Sequence, residues 1–474
     1  RIVSLAPSDR SHFGSSGGFC SNDSASDFQI PTDLTILLDT VVLPSAAMAP
    51  SEDAVVVDVT SAPKGSDHKG SEQQRWRRVL LGAGVIATAA ALVVAGAVMA
   101  NGGDLSSGDL LSREVRGLQA VSSNPFAGKV FYKNPANQVQ FDASINTSSG
   151  VVQANLRTMR EVPSAYWIDV KDKVRGSSLR SLEGILEDAS SKSPAEMVTF
   201  IWYDLPNRDC HAKASNGEIC CKYKADGKTC DYSFQENCDA GLKEYRETYV
   251  DPFIKVLQKY EGRVPVAIVV EPDSLPNLAT NQDDPRCGGL ATQIAYREGI
   301  AYAVQQLTTK TPWVAVYLDA AHGGWLAWQD NLQAFLEMLR GMRMPMNKIR
   351  GFATNVANYQ PLGELCPHEP DDGTRNGYCL NGRHSNDVCC RDPCGLAAEW
   401  SPGNNELNYA QELVVAARAK LGMEAHVIID TGRNGVANMR QDCASWCNAR
   451  GAGAGRPSTA ATAAPFVDAY FWLK

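Results

Sequence analysis

The sequence predicts an α/β protein in which residues 124–474 form a parallel (β/α) barrel of seven strands. Two observations carry this reading. The first is the run Val264-Pro265-Val266-Ala267-Ile268-Val269-Val270, which leads directly into Glu271, Pro272 and Asp273. An apolar, β-branched run of this length reads as a strand buried on both faces. Pro272 has no N–H, so the ladder should stop there and leave Asp273 just past the C-terminal end of the strand. The second observation is that the same pattern recurs, with helical patterning between the repeats, as in Asn331 to Arg343 and Glu406 to Leu421. Alternation of buried strands and helices is the grammar of parallel βα units.

Taken in order, Ala165-Tyr166-Trp167-Ile168 runs into Asp169. Thr199-Phe200-Ile201-Trp202-Tyr203 runs into Asp204 and then Leu205-Pro206-Asn207-Arg208-Asp209-Cys210. The Val264 strand is third. Trp313 to Leu318 ends on Asp319, Gly351 to Thr354 on Asn355, His426 to Ile429 on Asp430, and Ala469 to Leu473 on Lys474. In a parallel barrel the C-terminal strand ends line one rim, and that rim is where such folds build active sites. Acids that end strand after strand would converge there, which solvated loop residues have no reason to do.

The chain has 474 residues and a formal net charge of -8. It has no basic face, which excludes nucleic acid as a partner and fits a neutral ligand. There are 14 cysteines, concentrated between Cys210 and Cys447, a density that points to disulfides and an oxidising compartment. Zinc is the competing use of Cys220, Cys221, Cys230, Cys238, Cys389, Cys390 and Cys394. The spacings do not make paired C-x-x-C knuckles and histidine is scarce, so no metal and no cofactor is expected.

The N-terminal third has a different organisation. Residues 1–74 are rich in Ser, Asp, Ala and Pro without periodicity, and are expected to be disordered and cytoplasmic. Arg75-Trp76-Arg77-Arg78 precedes the uncharged run Val79 to Ala100, long enough to span a bilayer as a helix. Cations on its N-terminal side place the downstream chain outside. Residues 75–100 therefore read as a transmembrane signal anchor holding the catalytic part on the extracellular or lumenal side. The alternative is a signal peptide cut near Val98-Met99-Ala100, which would make the protein secreted. Residues 101–123 read as a Gly/Ser-rich linker. Asn146-Thr147-Ser148 is a glycosylation acceptor on the outer side.

Two carboxyl groups are what glycoside hydrolysis needs: one held protonated for the leaving oxygen, one ionised. Asp273 and Asp209 are the natural pair, one strand apart. Burial beside Pro272 and a like charge nearby would both raise the pKa of Asp273. Arg208 would keep Asp209 ionised or orient it. Beside the acids stand Trp167, Tyr203, Trp325, Trp328, Trp446 and Trp472. Indole faces suit the apolar C–H faces of sugar rings, and Trp325 and Trp328 follow a Gly-Gly turn just beyond the fourth strand.

With these residues in place, the chain from Asn124 to Lys474 resembles glycoside hydrolase family 6, the cellobiohydrolases and endoglucanases that cut β-1,4-glucan. The matching stretches, in the family's order, are Asn124-Pro125-Phe126, Tyr203 to Cys210, Ala214-Ser215-Asn216-Gly217-Glu218, Val270 to Leu275, Tyr317 to His322, Ala353 to Tyr359 and Asp430 to Gly435. The resemblance implies a distorted seven-stranded barrel, an inverting mechanism and a monomer acting on cellulose or soluble β-glucan. It implies Asp273 as proton donor, Asp209 as supporting carboxylate, Tyr203 under the distorted sugar, and Ser215 on a mobile loop near the attacking water. Trp167, Trp325, Trp328 and Trp446 match sugar-stacking positions. Asp169, Asp319, His322, Asn355, Arg433 and Lys474 match substrate-binding ones. Cys210 and Cys287 match a disulfide that closes the active-site loop.

Three departures are visible. The family's proposed catalytic base belongs to a loop that would come after Lys474. Cys447 is left either free or paired with Cys443. Cys220 to Cys238 and Cys366 to Cys394 are cysteine-rich insertions. A non-hydrolytic glucan-binding or wall-remodelling protein is the alternative reading, motivated by the first departure.

Overall fold

The computed structural model describes residues 124–367, 378–380, 384–440, 443 and 445–474. The segments read as disordered, membrane-spanning and linker, residues 1–123, lie outside the described residues. Among those described, no helix is long and apolar enough to cross a membrane.

After two helices, α1 (Pro135–Asn146) and α2 (Gly150–Arg160), the chain lays down seven parallel strands in sequence order. They are β1 (Tyr166–Ile168), β2 (Val198–Trp202), β3 (Val266–Val270), β4 (Ala315–Asp319), β5 (Gly351–Thr354), β6 (His426–Asp430) and β7 (Val467–Phe471). Between them lie α3 (Leu182–Ser191), α4 (Asp239–Glu244), α5 (Asp251–Gln258), α6 (Ser274–Thr280), α7 (Leu290–Lys310), α8 (Gly323–Leu326), α9 (Gln329–Gly341) and α10 (Glu406–Leu421). The sheet curls without closing by a ladder. Its edges β1 and β7 meet only through the bridge Ser164–Trp472, in which the Ala165 N–H donates to the Trp472 carbonyl at 2.8 Å. The expected barrel is thus a curled seven-stranded sheet with one loose seam.

Period-two alternation divides the strands between two cores. Ile201, Ala267, Val269, Tyr317, Ala353, Ile428, Ala469 and Phe471 point inward, where Phe126 plugs the floor. Phe200, Trp202, Ile268, Val270, Val316, Leu318, Phe352, Val427 and Ile429 point outward under the helices. Both sets are apolar, which is why the strands read as unbroken hydrophobic runs.

β7 begins two residues before the expected Ala469, because Asp468 interrupts the apolar run in the sequence. In the structure Asp468 is buried, paired with Arg350 through Nε and Nη2 at 2.7 Å each. It also accepts the Tyr317 hydroxyl at 2.7 Å.

All described cysteines are in disulfides. Cys220–Cys230 and Cys221–Cys238 pin the first insertion, and Cys366–Cys389 and Cys379–Cys390 the second. Cys443 bonds Cys394 and Cys447 is itself disulfide-bonded, which corrects both readings of Cys447, free or paired with Cys443. The four sulfurs of the second insertion lie within 4.8 Å of one another and are already used in those two bridges.

Candidate active site

The rim at the C-terminal strand ends is built from unusual backbone. Asn207 and Asp209 after β2, Glu271 and Asp273 after β3, Ala321 after β4, and Asn355 and Ala357 after β5 all have φ between 48° and 61°, except Asp273 at 63°. Left-handed backbone is uncommon outside glycine and clusters where a functional geometry is over-determined. Here each strand turns sharply out of the sheet and presents a polar residue on the way.

Asp273 precedes α6, yet its side chain makes no capping bond to that helix. Its N–H donates to Asp319 Oδ2 at 3.0 Å, and its carbonyl accepts the Asn277 side-chain amide at 2.7 Å. The residue is half-buried at the strand end. Burial pushes its carboxyl well above the usual carboxylate range, the charges of Asp319 and Asp209 push it further, and Lys474 opposes them. Asp319 is itself pushed up to about 7 by burial, against the N–H groups of Asp273 and Ala321. Asp319, expected to bind substrate, is buried, and its Oδ2 accepts the N–H groups of Asp273 and Ala321.

Asp209 lies buried in the loop after β2, held there by the Cys210–Cys287 disulfide. Its Oδ2 accepts the Ser215 N–H at 2.5 Å. Burial raises its pKa, while the Ser215 N–H and the cations Arg208 and Arg286 pull the other way. Ser215 reaches the site through its backbone, and its residue is otherwise exposed.

Arg208 has a different partner from the one expected. Its guanidinium meets Asp204 at 3.4 Å and donates to the carbonyls of Asp169 at 2.7 Å, Ser215 at 2.8 Å and Tyr203. It also lies 4.3 Å from the Tyr203 ring centre. Arg208 is a clasp gathering three loops, acting on Asp209 only through its charge.

Sequence reasoning passed over Glu271, although it stands two residues before Asp273. Its Oε1 accepts the Asp204 N–H at 3.0 Å and the Tyr245 hydroxyl at 2.9 Å, and burial pushes it up to about 7. The π-helical turn Tyr245–Val250 between α4 and α5 aims Tyr245 and Tyr249 at this point. The Tyr249 hydroxyl accepts the Tyr203 N–H at 3.2 Å and donates to the Ile168 carbonyl. A π-turn is a common device at functional sites because it re-aims side chains.

On the far side of Tyr203, Trp167 packs edge-on at 5.2 Å. Its indole N–H donates to the Leu473 carbonyl at 2.8 Å, and Lys474 Nζ stands 4.4 Å from its ring centre. Burial and the nearby Arg433 hold the Lys474 pKa below its usual value. Asp169 pairs with Lys173 at 2.5 Å. Arg433 Nη1 donates to the Ala357 carbonyl and the Tyr359 hydroxyl at 3.4 Å.

Across the rim, His322 caps the short helix α8 and packs edge-on against Trp325, ring centres 6.1 Å apart. Burial pushes His322 down to about 3, so the ring is neutral at any working pH, and its Nδ1 has no partner. Trp325 donates to Thr280 Oγ1 at 2.7 Å and Trp328 to the Glu399 carbonyl at 3.2 Å. Glu406, at the start of α10, accepts the Gly323 N–H at 2.8 Å and fixes α8 from beneath. No sequence pattern pointed to it.

Asn355, expected to bind sugar, sits beneath the rim. It is fully buried, donating to the carbonyls of Gln360 at 3.2 Å and Asp430 at 3.0 Å and accepting the Gln360 N–H at 3.1 Å, which makes it a loop clamp. Trp446 lies half-buried in the irregular segment between β6 and β7.

Two neighbouring acids, one held protonated, on a rim that also carries aromatic rings and a neutral imidazole, can protonate a leaving oxygen on an uncharged sugar. Known proteins similar to the chain point to the same chemistry. A family model described as "Glycosyl hydrolases family 6" matches residues 126–474. Exoglucanase 3 of Agaricus bisporus is 33% identical over 359 residues, 74% of this chain and 68% of the relative. 1,4-beta-D-glucan cellobiohydrolase C of Emericella nidulans is 35% identical over 364 residues, 75% of this chain and 69% of the relative. Among solved structures, the catalytic core of the cellobiohydrolase Cel6A from Chaetomium thermophilum is similar at 30% identity and a TM-score of 0.58, covering 74% of this chain and 86% of that one.

Proposed function

The chain belongs to glycosyl hydrolase family 6, and on that footing we propose that its rim aspartates hydrolyse β-1,4-glucosidic bonds of cellulose with inversion. The observation that carries this is Asp273, its carboxyl free of its own helix and held protonated by burial and by Asp319 and Asp209. In the reaction Asp273 gives its proton to the glycosidic oxygen as the bond to C1 breaks. A water attacks C1 from the opposite face, so the β-linkage yields an α-anomer. The water's second proton leaves through the polar network of Asp209 and the Ser215 loop. Tyr203 and Trp167 support the sugar at the cleavage point, and Trp325 and Trp328 stack the rings beyond it. His322, unpartnered at Nδ1, offers a neutral bond to a hydroxyl. Lys474, Asp169, Arg433 and Trp446 contribute at the opposite end.

The relatives' names favour attack at chain ends with cellobiose as the main product. The six described disulfides fit a domain matured in an oxidising compartment. For residues 75–100 we keep the signal-anchor reading, with secretion after cleavage as the other outcome of a cell-fractionation experiment. We read the enzyme as a monomer, which sedimentation of the purified chain checks.

The deciding test follows the new anomeric proton of cellohexaose by NMR. The expected result is α-anomer release, falling about 100-fold to 10,000-fold in Asp273→Asn. Unchanged turnover in that variant would remove Asp273 as donor. Binding without turnover in the unsubstituted chain would favour a glucan-binding protein.

A further inference from the structure

Among the described residues, the large side chains left well exposed are aliphatic with one exception: Trp400, 61% exposed. Scattered exposed valines need no explanation, but a tryptophan does. Its backbone makes the case stronger. Trp400 has φ 62° and ψ 27°, the left-handed region, which a bulky residue enters only when its surroundings hold it there.

The surroundings do hold it. Asp392 accepts the N–H groups of Leu396 at 2.9 Å and Ala397 at 2.7 Å. The Trp400 N–H closes the turn on the Ala397 carbonyl at 3.1 Å, and the Ser401 N–H returns to the Leu396 carbonyl at 2.9 Å. The Cys394–Cys443 disulfide ties the turn on one side, and the buried run Ser401 to Asn408 ties it on the other. An apolar ring is thus mounted rigidly, in a strained conformation, facing water.

Its position supplies the ligand. The carbonyl of Glu399, one Cα step of about 3.8 Å before Trp400, accepts the Trp328 indole N–H at 3.2 Å. The turn that carries Trp400, just past the cysteine-rich insertion, therefore holds the ring of Trp328. We propose that Trp400 is a further sugar-stacking platform, extending the pair Trp325 and Trp328 so that the turn following the cysteine-rich insertion takes one more glucosyl ring of the same β-1,4-glucan chain. A rigid mount suits the role, because little side-chain freedom is lost on binding. This inference rests on the reading of the chain as a β-1,4-glucanase.

The test is calorimetric titration of the full chain with cellotriose and cellohexaose, every variant carrying Asp273→Asn so that the ligand survives. Trp400→Ala is expected to weaken cellohexaose by about threefold to tenfold and cellotriose by less than about twofold. Trp400→Phe should recover most of the loss. Trp400→Gly should weaken cellohexaose as Ala does while raising Tm by about 1–3 °C, since glycine adopts this backbone freely. Opposite signs on binding and stability are what a residue kept for its ligand shows. Equal cellohexaose affinity in Trp400→Ala and the parent would overturn the platform alone. A Trp400→Gly variant that loses Tm and keeps affinity would also overturn it, making the ring a packing element. If the parent binds neither oligosaccharide, the platform and the glucanase reading fall together.

Discussion

Asp319 is buried and Asp273 half-buried, and the Asp273 N–H donates to the Asp319 carboxyl. Two like charges so placed cannot both ionise cheaply, so the Asp319 charge helps keep the proton on Asp273, while burial raises Asp319 itself. The sign for catalysis is set by this. A donor must be protonated, so its raised pKa sets the alkaline limb of the pH–rate profile. Asp319→Asn keeps an acceptor for the Asp273 N–H but removes the charge. It should move the alkaline limb of kcat/KM to lower pH by about one unit, measured on a soluble cello-oligosaccharide. An unmoved limb would mean that burial alone holds the proton. At this scale the sequence made the acids legible, because Pro272 and the ends of apolar runs mark Asp273, Asp209 and Asp319 as rim residues. Their partners were not legible. Arg208 stands beside Asp209 in sequence but pairs with Asp204, and Glu271 meets Asp204 across 67 residues of chain.

Among the elements, the π-helical turn Tyr245–Val250 shows how a helix tunes a rim it does not belong to. Tyr245 stands between the Trp202 indole N–H at 2.7 Å and Glu271 at 2.9 Å, all buried. Tyr245→Phe leaves the buried Trp202 N–H without its acceptor and removes one of the two bonds to Glu271 Oε1, and should cost about 1–3 kcal/mol in urea unfolding. β7 carries the matching feature at the opposite end of the sheet. Burial pushes the Asp468 carboxyl up, but the bidentate Arg350 pair outweighs it and holds it below its usual value. Its stabilisation is therefore present above the unfolded-state value of 3.8 and lost as pH falls through the depressed folded value. Asp468→Asn removes the buried carboxylate that Arg350 grips at two points and should cost about 3–5 kcal/mol. It should also flatten the acid end of the stability profile. A variant as stable as the parent would show that Arg350 finds another partner. The strand itself was legible from Ala469 onward, but a buried aspartate looks like a break in a pattern built on apolar residues.

For the molecule as a whole, the buried carboxyls act in concert. Burial raises Asp430 to about 6, Glu271 and Asp319 to about 7 and Glu406 to about 8, from ordinary values of 3.8 to 4.5. Across that interval the folded chain holds protons that the unfolded chain has released. Stability therefore falls as pH rises from about 4.5 through 8. The expected outcome is a Tm clearly higher at pH 5 than at pH 8, by scanning calorimetry. A flat profile would mean that these groups are solvated more than their burial suggests. The acidic optimum of the fold and the protonated donor then have one cause, a rim whose carboxyls are kept from water.

The seven parallel strands, their order, the rim acids and the aromatic rings could all be read from the chain before any coordinates, because each leaves a local mark: an apolar run, a ladder-stopping proline, a carboxylate or an indole just beyond. Folding in three dimensions settled the rest: which neighbours keep the proton on Asp273, what Arg208 grips, that Asn355 clamps a loop, that the sheet edges meet at one bridge, and how the turn after the cysteine-rich insertion sets Trp400. Those outcomes depend on desolvation and on contacts between residues far apart in the chain. A local pattern records which groups are available; burial and the long-range pairing of strands and loops determine which of them meet.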